Sequence, residues 1–158
     1  MLLTKEFFKD FTEQVSYSCL IEMNGGPFGA IVFKGNEIVG RGFNCVISHN
    51  DPTAHAEIMA IRDACKTLNT HDLTGYELYA TGYPCPMCMS AIIWANIKKV
   101  YYSADYNDAN ELGFRDDYIF KFIKNKCKNT KTLELEQVDK ENILQVYKKY
   151  KEQNKEIY

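Results

Sequence analysis

No run of eighteen consecutive apolar residues occurs in this chain of 158 residues, so it lacks the minimum for a membrane-spanning helix. Positive charge is not in excess either. Nineteen Lys and Arg face 21 Asp and Glu, for a formal net charge of -2. No global basic field therefore draws the chain to a nucleic-acid backbone, and a small molecule is the favoured partner. Residues 1–10 have no basic segment followed by an apolar one, and six cysteines occur without a secretory signal. That combination leads to the expectation of a reducing, cytoplasmic setting with free thiols. Repeats, low-complexity tracts and interdomain linkers are also missing. With 46% hydrophobic and 25% charged residues, residues 1–158 read as a single globular domain.

What is present begins with a helix. Thr4 suits an N-cap, and Phe7, Phe8, Phe11, Val15, Ser18 and Cys19 form a helical stripe that reaches to about Met23. Asn24-Gly25-Gly26-Pro27 ends it. Two strands follow, Phe28 to Lys34 and Glu37 to Phe43, joined by Gly35-Asn36 as a tight turn. Residues 44–53 read as loop, Ala54 to Leu68 as helix, Tyr76 to Thr81 as strand. Pro84 and Pro86 open another helix to about Asn96, where proline's missing N–H costs nothing. A strand at Lys98 to Ser103, a polar loop, a helix at Asp116 to Asn125, a fifth strand at Thr132 to Val138 and a last helix capped by Asp139 complete the chain. Ile143, Leu144, Tyr147 and Tyr150 mark the apolar face of that helix. The order predicts a three-layer α/β/α domain with a central mixed five-stranded sheet.

The chemistry concentrates between His55 and Cys88. His55, Cys85 and Cys88 are good zinc ligands, and Glu57 lies two residues beyond the histidine. Zinc favours tetrahedral nitrogen and thiolate donors, and a catalytic site keeps the fourth position for water. Cys85 and Cys88 share one face of a helix start, where the helix dipole favours thiolates. A neighbouring carboxylate can handle the protons of the water. A structural zinc site normally uses four protein ligands; no second Cys-x-x-Cys or paired His supplies the fourth here. His49 and His71 fall in loops without ligand spacing, and Cys19, Cys45, Cys65 and Cys127 read as buried free thiols. His-x-Glu followed by Pro-Cys-x-x-Cys is the pattern of zinc-dependent nucleobase deaminases.

On these residues the chain resembles the cytidine deaminase superfamily, and within it the small bacterial guanine deaminase type, which includes plant guanosine deaminases. The resemblance runs from Gly25 to Tyr158. It is carried by Gly-Gly-Pro-Phe-Gly-Ala at 25–30, Asn-Asp-Pro-Thr-Ala-His-Ala-Glu at 50–57 and Pro-Cys-Pro-Met-Cys at 84–88. Ala-Ile-Ile-Trp-Ala at 91–95, Gly-Phe-Arg-Asp-Asp at 113–117 and the terminal Tyr158 add to it. The resemblance implies zinc held by His55, Cys85 and Cys88, with Glu57 as proton shuttle. It implies Asn44 as a purine hydrogen-bonder, Phe28 as a pocket wall, and Asp116 as a second acid near the exocyclic amine. For Tyr158 it implies entry into the active site of a homodimer after the tail swaps between subunits. One position departs from the pattern: many members carry Glu before Pro-Cys, where this chain has Tyr83.

The expected activity is hydrolytic deamination of guanine to xanthine and ammonia. Two other readings stay open at this point. One is a deaminase of guanosine, cytosine, cytidine or, less favoured, a tRNA adenosine, for which Lys121, Lys124, Lys126, Lys128 and Lys131 are the basic cluster to consider. The other is an inactive zinc-binding scaffold.

Overall fold

The computed structural model describes residues 2–114 and 116–158; Met1 and the Arg115 of the 113–117 motif lie outside the described residues. Two compact units make up the chain, Met1–Asp117 and Tyr118–Tyr158.

In the first unit, α1 (Lys5–Ser16) starts at Thr4, whose hydroxyl accepts from the Phe7 amide, and it runs on through a π-helical turn at Tyr17–Ile21. Strands β1 (Gly29–Lys34) and β2 (Glu37–Phe43) pair antiparallel around Gly35, whose φ of 60° suits glycine. A short α2 (Val46–His49) interrupts the predicted loop, and α3 (Ala56–Leu68) follows. Then come β3 (Glu77–Gly82), α4 (Pro86–Trp94), β4 (Val100–Ala104) and α5 (Tyr106–Glu111). The sheet order is β2-β1-β3-β4. β1 pairs antiparallel with β3, and β3 parallel with β4. A parallel neighbour needs a crossover, and α4 lies on that crossover.

β1 explains the layering. Its residues alternate, as a strand with two buried faces must. Ala30 and Val32 join Ala56, Ala60, Leu78 and Ile92 in one apolar cluster; Ile31 and Phe33 join Phe11, Val15 and Tyr79 in another. Thus α1 covers one face of the sheet while α3 and α4 cover the other. The Phe7, Phe8 and Phe11 rings all pack on Tyr79 at centroid distances of 5.1–6.2 Å.

The side that carries α3 is built for close approach. Gly40 and Gly42 face the helix stripe Ala56, Ala60 and Ala64. A methyl on Gly40 would meet the Ala60 carbonyl and the Ala64 amide; one on Gly42 would meet the Ala56 carbonyl and the Ala60 amide. Strand backbone therefore rests almost directly on helix backbone, which fixes where α3 begins, and His55 is its N-cap residue.

The second unit holds α6 (Asp117–Lys124, straddling the boundary) and α7 (Lys140–Glu152). Two expectations need correction here. Among the described residues the sheet has four strands, not five, and residues 132–138 form no strand. The Thr-Leu-Glu-Leu-Glu alternation has strand character, but a strand exists only when a neighbour supplies its hydrogen bonds. Asp139 does precede α7, but in a left-handed conformation, and its carboxylate accepts from the Asn142 amide group rather than from a helix N–H. The apolar face of α7 lies exposed at Ile143, Leu144, Tyr147 and Tyr150.

Two further differences are smaller. The polar loop after β4 contains α5, capped by a reciprocal Asp105 and Asp108 box. Cys19, Cys45, Cys65 and Cys127 are free but only half-buried, so they are edge residues and not core thiols. No helix among the described residues is long and apolar enough to cross a membrane.

Candidate active site

His55 is the N-cap residue of α3 and Cys85 that of α4, so the two helix starts meet where His55, Cys85 and Cys88 come together. The His55 Nδ1 lies 3.6 Å from the Cys85 Sγ and 3.6 Å from the Cys88 Sγ. All three ligand atoms fall within 4.8 Å of one another. Zinc bonds of about 2.0–2.3 Å in a tetrahedron set donors roughly 3.5 Å apart. The two separations from the imidazole therefore match those of a zinc site.

Protonation follows the same logic. The Cys88 amide donates to the Cys85 Sγ at 3.5 Å, the helix N-terminus acting on a thiolate. Hydrogen bonding from Cys88 holds the Cys85 thiol well below its usual range, and the bond from His55 helps. Cys88 is raised in turn, chiefly because it shares its proton with Cys85 and secondarily because it is buried. Its hydrogen bond with Cys85 also raises His55. Metal binding at these groups would displace protons from them.

Glu57 sits in the first turn of α3, only 7% exposed. Burial pushes its carboxyl up to about 7, with the Cys85 thiolate adding and His55 opposing. A group near neutrality can both take and return a proton.

A cavity of about 600 Å³ opens beside this triad. Glu57, Asn44, Phe28 and Asp116 all line it. Phe28 stands edge-on to Phe114, ring centroids 4.9 Å apart. Gly82 leaves room for that ring, since a methyl there would approach Phe28 to 3.3 Å. Asp116 is raised, first by burial and then by the charge on Cys85. The Asn44 Oδ1 accepts from the Gly26 and Val46 amides, both at 3.2 Å. With its oxygen engaged, the Nδ2 group of Asn44 remains as the donor available to the cavity. Tyr158 belongs to the second unit and is 80% exposed. His49 and His71 are both exposed, away from the triad.

Sequence reasoning missed several lining residues. Val46 and Ile47 come from α2, a helix too short for periodicity to reveal. Phe114 was visible within the 113–117 motif, and Tyr83 as a departure from the family pattern, yet their place on the cavity wall needed coordinates.

The two roles of Asn44 are separable. Asn44→Asp keeps the acceptor for both loop amides but removes the donor, so a melting temperature near wild type with a raised KM is expected. Asn44→Ala orphans two amides, each at about 1–3 kcal/mol, and lowers the melting temperature as well. Equal melting losses in both variants would argue against this division.

An imidazole and two thiols close enough to share one ion, bordering a cavity with a buried carboxyl, have the make-up of a mononuclear zinc hydrolase site. The family model described as the cytidine and deoxycytidylate deaminase zinc-binding region matches residues 3–104. The chain belongs to this family, and zinc is its metal. It is 52% identical to the guanine deaminase of Bacillus subtilis (strain 168) over 99 residues, which span 63% of this chain and 64% of that protein. The X-ray structure of guanine deaminase from Bacillus subtilis superposes with a TM-score of 0.88 at 39% identity, covering 99% of each chain. The tRNA-specific adenosine deaminase of Buchnera aphidicola (subsp. Schizaphis graminum) is 41% identical over 115 residues, covering 72% of this chain and 76% of that protein.

Proposed function

We propose that this protein is a zinc-dependent aminohydrolase that converts guanine and water to xanthine and ammonia. The observation that carries the reading is the convergence on one cavity of Glu57, Asp116 and the free amide donor of Asn44 beside the ligand triad. Similarity to the Bacillus enzyme over 99% of the chain supports it.

His55, Cys85 and Cys88 would hold the metal. When bound, zinc supplies a Lewis acid that brings the pKa of a coordinated water to roughly 7. Glu57 receives the proton as water adds to C2 of the purine, and delivers it to the ring nitrogen. A second transfer, shared with Asp116, releases the exocyclic amine as ammonia and leaves a carbonyl at C2. Asn44 donates to an acceptor on the purine rim, and Phe28 lies against the ring.

The test is ammonia release from the zinc-loaded protein offered guanine, guanosine, cytosine, cytidine and adenine in turn. Release from guanine above the others is expected. Turnover only of adenosine within tRNA would instead favour the reading suggested by the Buchnera relative.

The functional unit in this reading is one deaminase domain acting as a homodimer with exchanged C-terminal segments. Three features support exchange: the exposed apolar face of α7, the unpaired alternation at 132–138, and β4 standing at the sheet edge. An apolar face and an open edge both call for cover. Deleting Ile157 and Tyr158 is expected to reduce turnover with the melting temperature preserved. Unchanged turnover would remove Tyr158 from the site.

A further inference from the structure

Tyr83 lines the cavity and is not among the side chains that could hold a metal. It sits two residues before Cys85, so its backbone is tied to the metal-binding helix start. Its amide donates to the Ala104 carbonyl at 3.0 Å, extending the β3–β4 pairing past the strand end. Its ring meets Tyr102 edge-on, with centroids 5.0 Å apart and planes at 84°. Such a contact between aromatic rings is a favourable one. Tyr83 is 37% exposed and Tyr102 51%. Tyr83 is therefore a partly exposed part of the cavity lining, held against Tyr102.

The placement has a chemical consequence. A nucleoside differs from its free base by the bulk of the sugar on N9, which must find room along the lining of the same cavity, and Tyr83 takes up part of that lining. An aromatic ring held by such a contact swings aside less readily than a long flexible side chain.

We propose that Tyr83 is a specificity-determining residue, a buttressed wall that favours the free base over its nucleoside. The proposal rests on the deaminase reading above. It assigns Tyr83 no role in the chemical step.

The experiment compares kcat/KM for guanine and guanosine in the zinc-loaded full chain. Tyr83→Ala is expected to raise the guanosine-to-guanine ratio by at least about tenfold, the scale on which a pocket discriminates by bulk. Tyr83→Phe, which keeps the ring, is expected to hold the wild-type ratio. Tyr102→Ala, which removes only the brace, should shift the ratio in the same direction by less. Calorimetric Kd values for the same two ligands give the comparison without turnover. A ratio within twofold of wild type in Tyr83→Ala, by both measures, overturns the proposal. Failure of the guanine reading looks different: wild type then releases ammonia from another base. The same ratio, taken for that base and its nucleoside, still decides the role of Tyr83.

Discussion

Glu57→Gln is expected to slow ammonia release roughly 100- to 10,000-fold, the range for loss of a general acid–base group, while zinc content stays stoichiometric. The carboxyl is 7% exposed and stands outside the group of three side chains that could hold a metal, although it hydrogen-bonds with Cys88. An amide of the same shape fills the same space, so packing in the first turn of α3 survives. It has no proton to exchange at neutral pH, whereas the native carboxyl is held near 7 by burial. The measurement pairs a steady-state rate with metal analysis of the same sample. Loss of zinc along with rate would make Glu57 a structural support of the ligands; retention of both would remove it from the chemistry.

Cys88→Ser carries the second large effect. Cys88 is fully buried and its Sγ lies 3.6 Å from the His55 Nδ1. Serine nearly matches its volume but offers a hydroxyl in place of a thiolate, a far poorer zinc donor. Zinc is expected to fall below a tenth of stoichiometric, with turnover falling in proportion. Stability supplies an independent readout. A ligand held at about a thousand times its Kd stabilises the native state by about 4 kcal/mol, worth roughly 8–16 °C for a chain of this size. Wild-type protein is therefore expected to lose that interval when treated with a chelator, and Cys88→Ser to show no chelator response. A variant that keeps its metal and its chelator-sensitive melting would mean that Cys88 is not a ligand.

The parts of the candidate metal group were legible in the sequence because each part is local, though the meeting of His55 with two cysteines about thirty residues on is a product of the fold. Cys85 and Cys88 are bound to one helix start by chain geometry alone, and Pro84 and Pro86 announce that start. Glu57 is fixed relative to His55 in the same way. The α1 stripe and the β1–β2 hairpin were legible for a similar reason, since each is specified by neighbours in sequence. What could not be read depends on partners distant in sequence. Residues 132–138 alternate like a strand, yet alternation names no neighbour. Asn44 was placed by resemblance, but that its oxygen is engaged by Gly26 and Val46 appears only when the chain is folded. The box that caps α5, Asp105 with Asp108, was present to be read; in a segment so rich in Asp and Asn it passed for loop.

The bare contact between β2 and α3 has one more consequence. Where a methyl at Gly42 would run into the carbonyl of Ala56, the residue between His55 and Glu57, the reactive floor has no slack to spend on variation. The part of the lining set by half-exposed side chains such as Tyr83 and Phe114 has plenty. Reactivity and selectivity thus reside in mechanically separate parts of one small domain. Selection for a new substrate has room to act on the second without disturbing the first, which is how a single metal centre can be kept while the molecules it serves diverge.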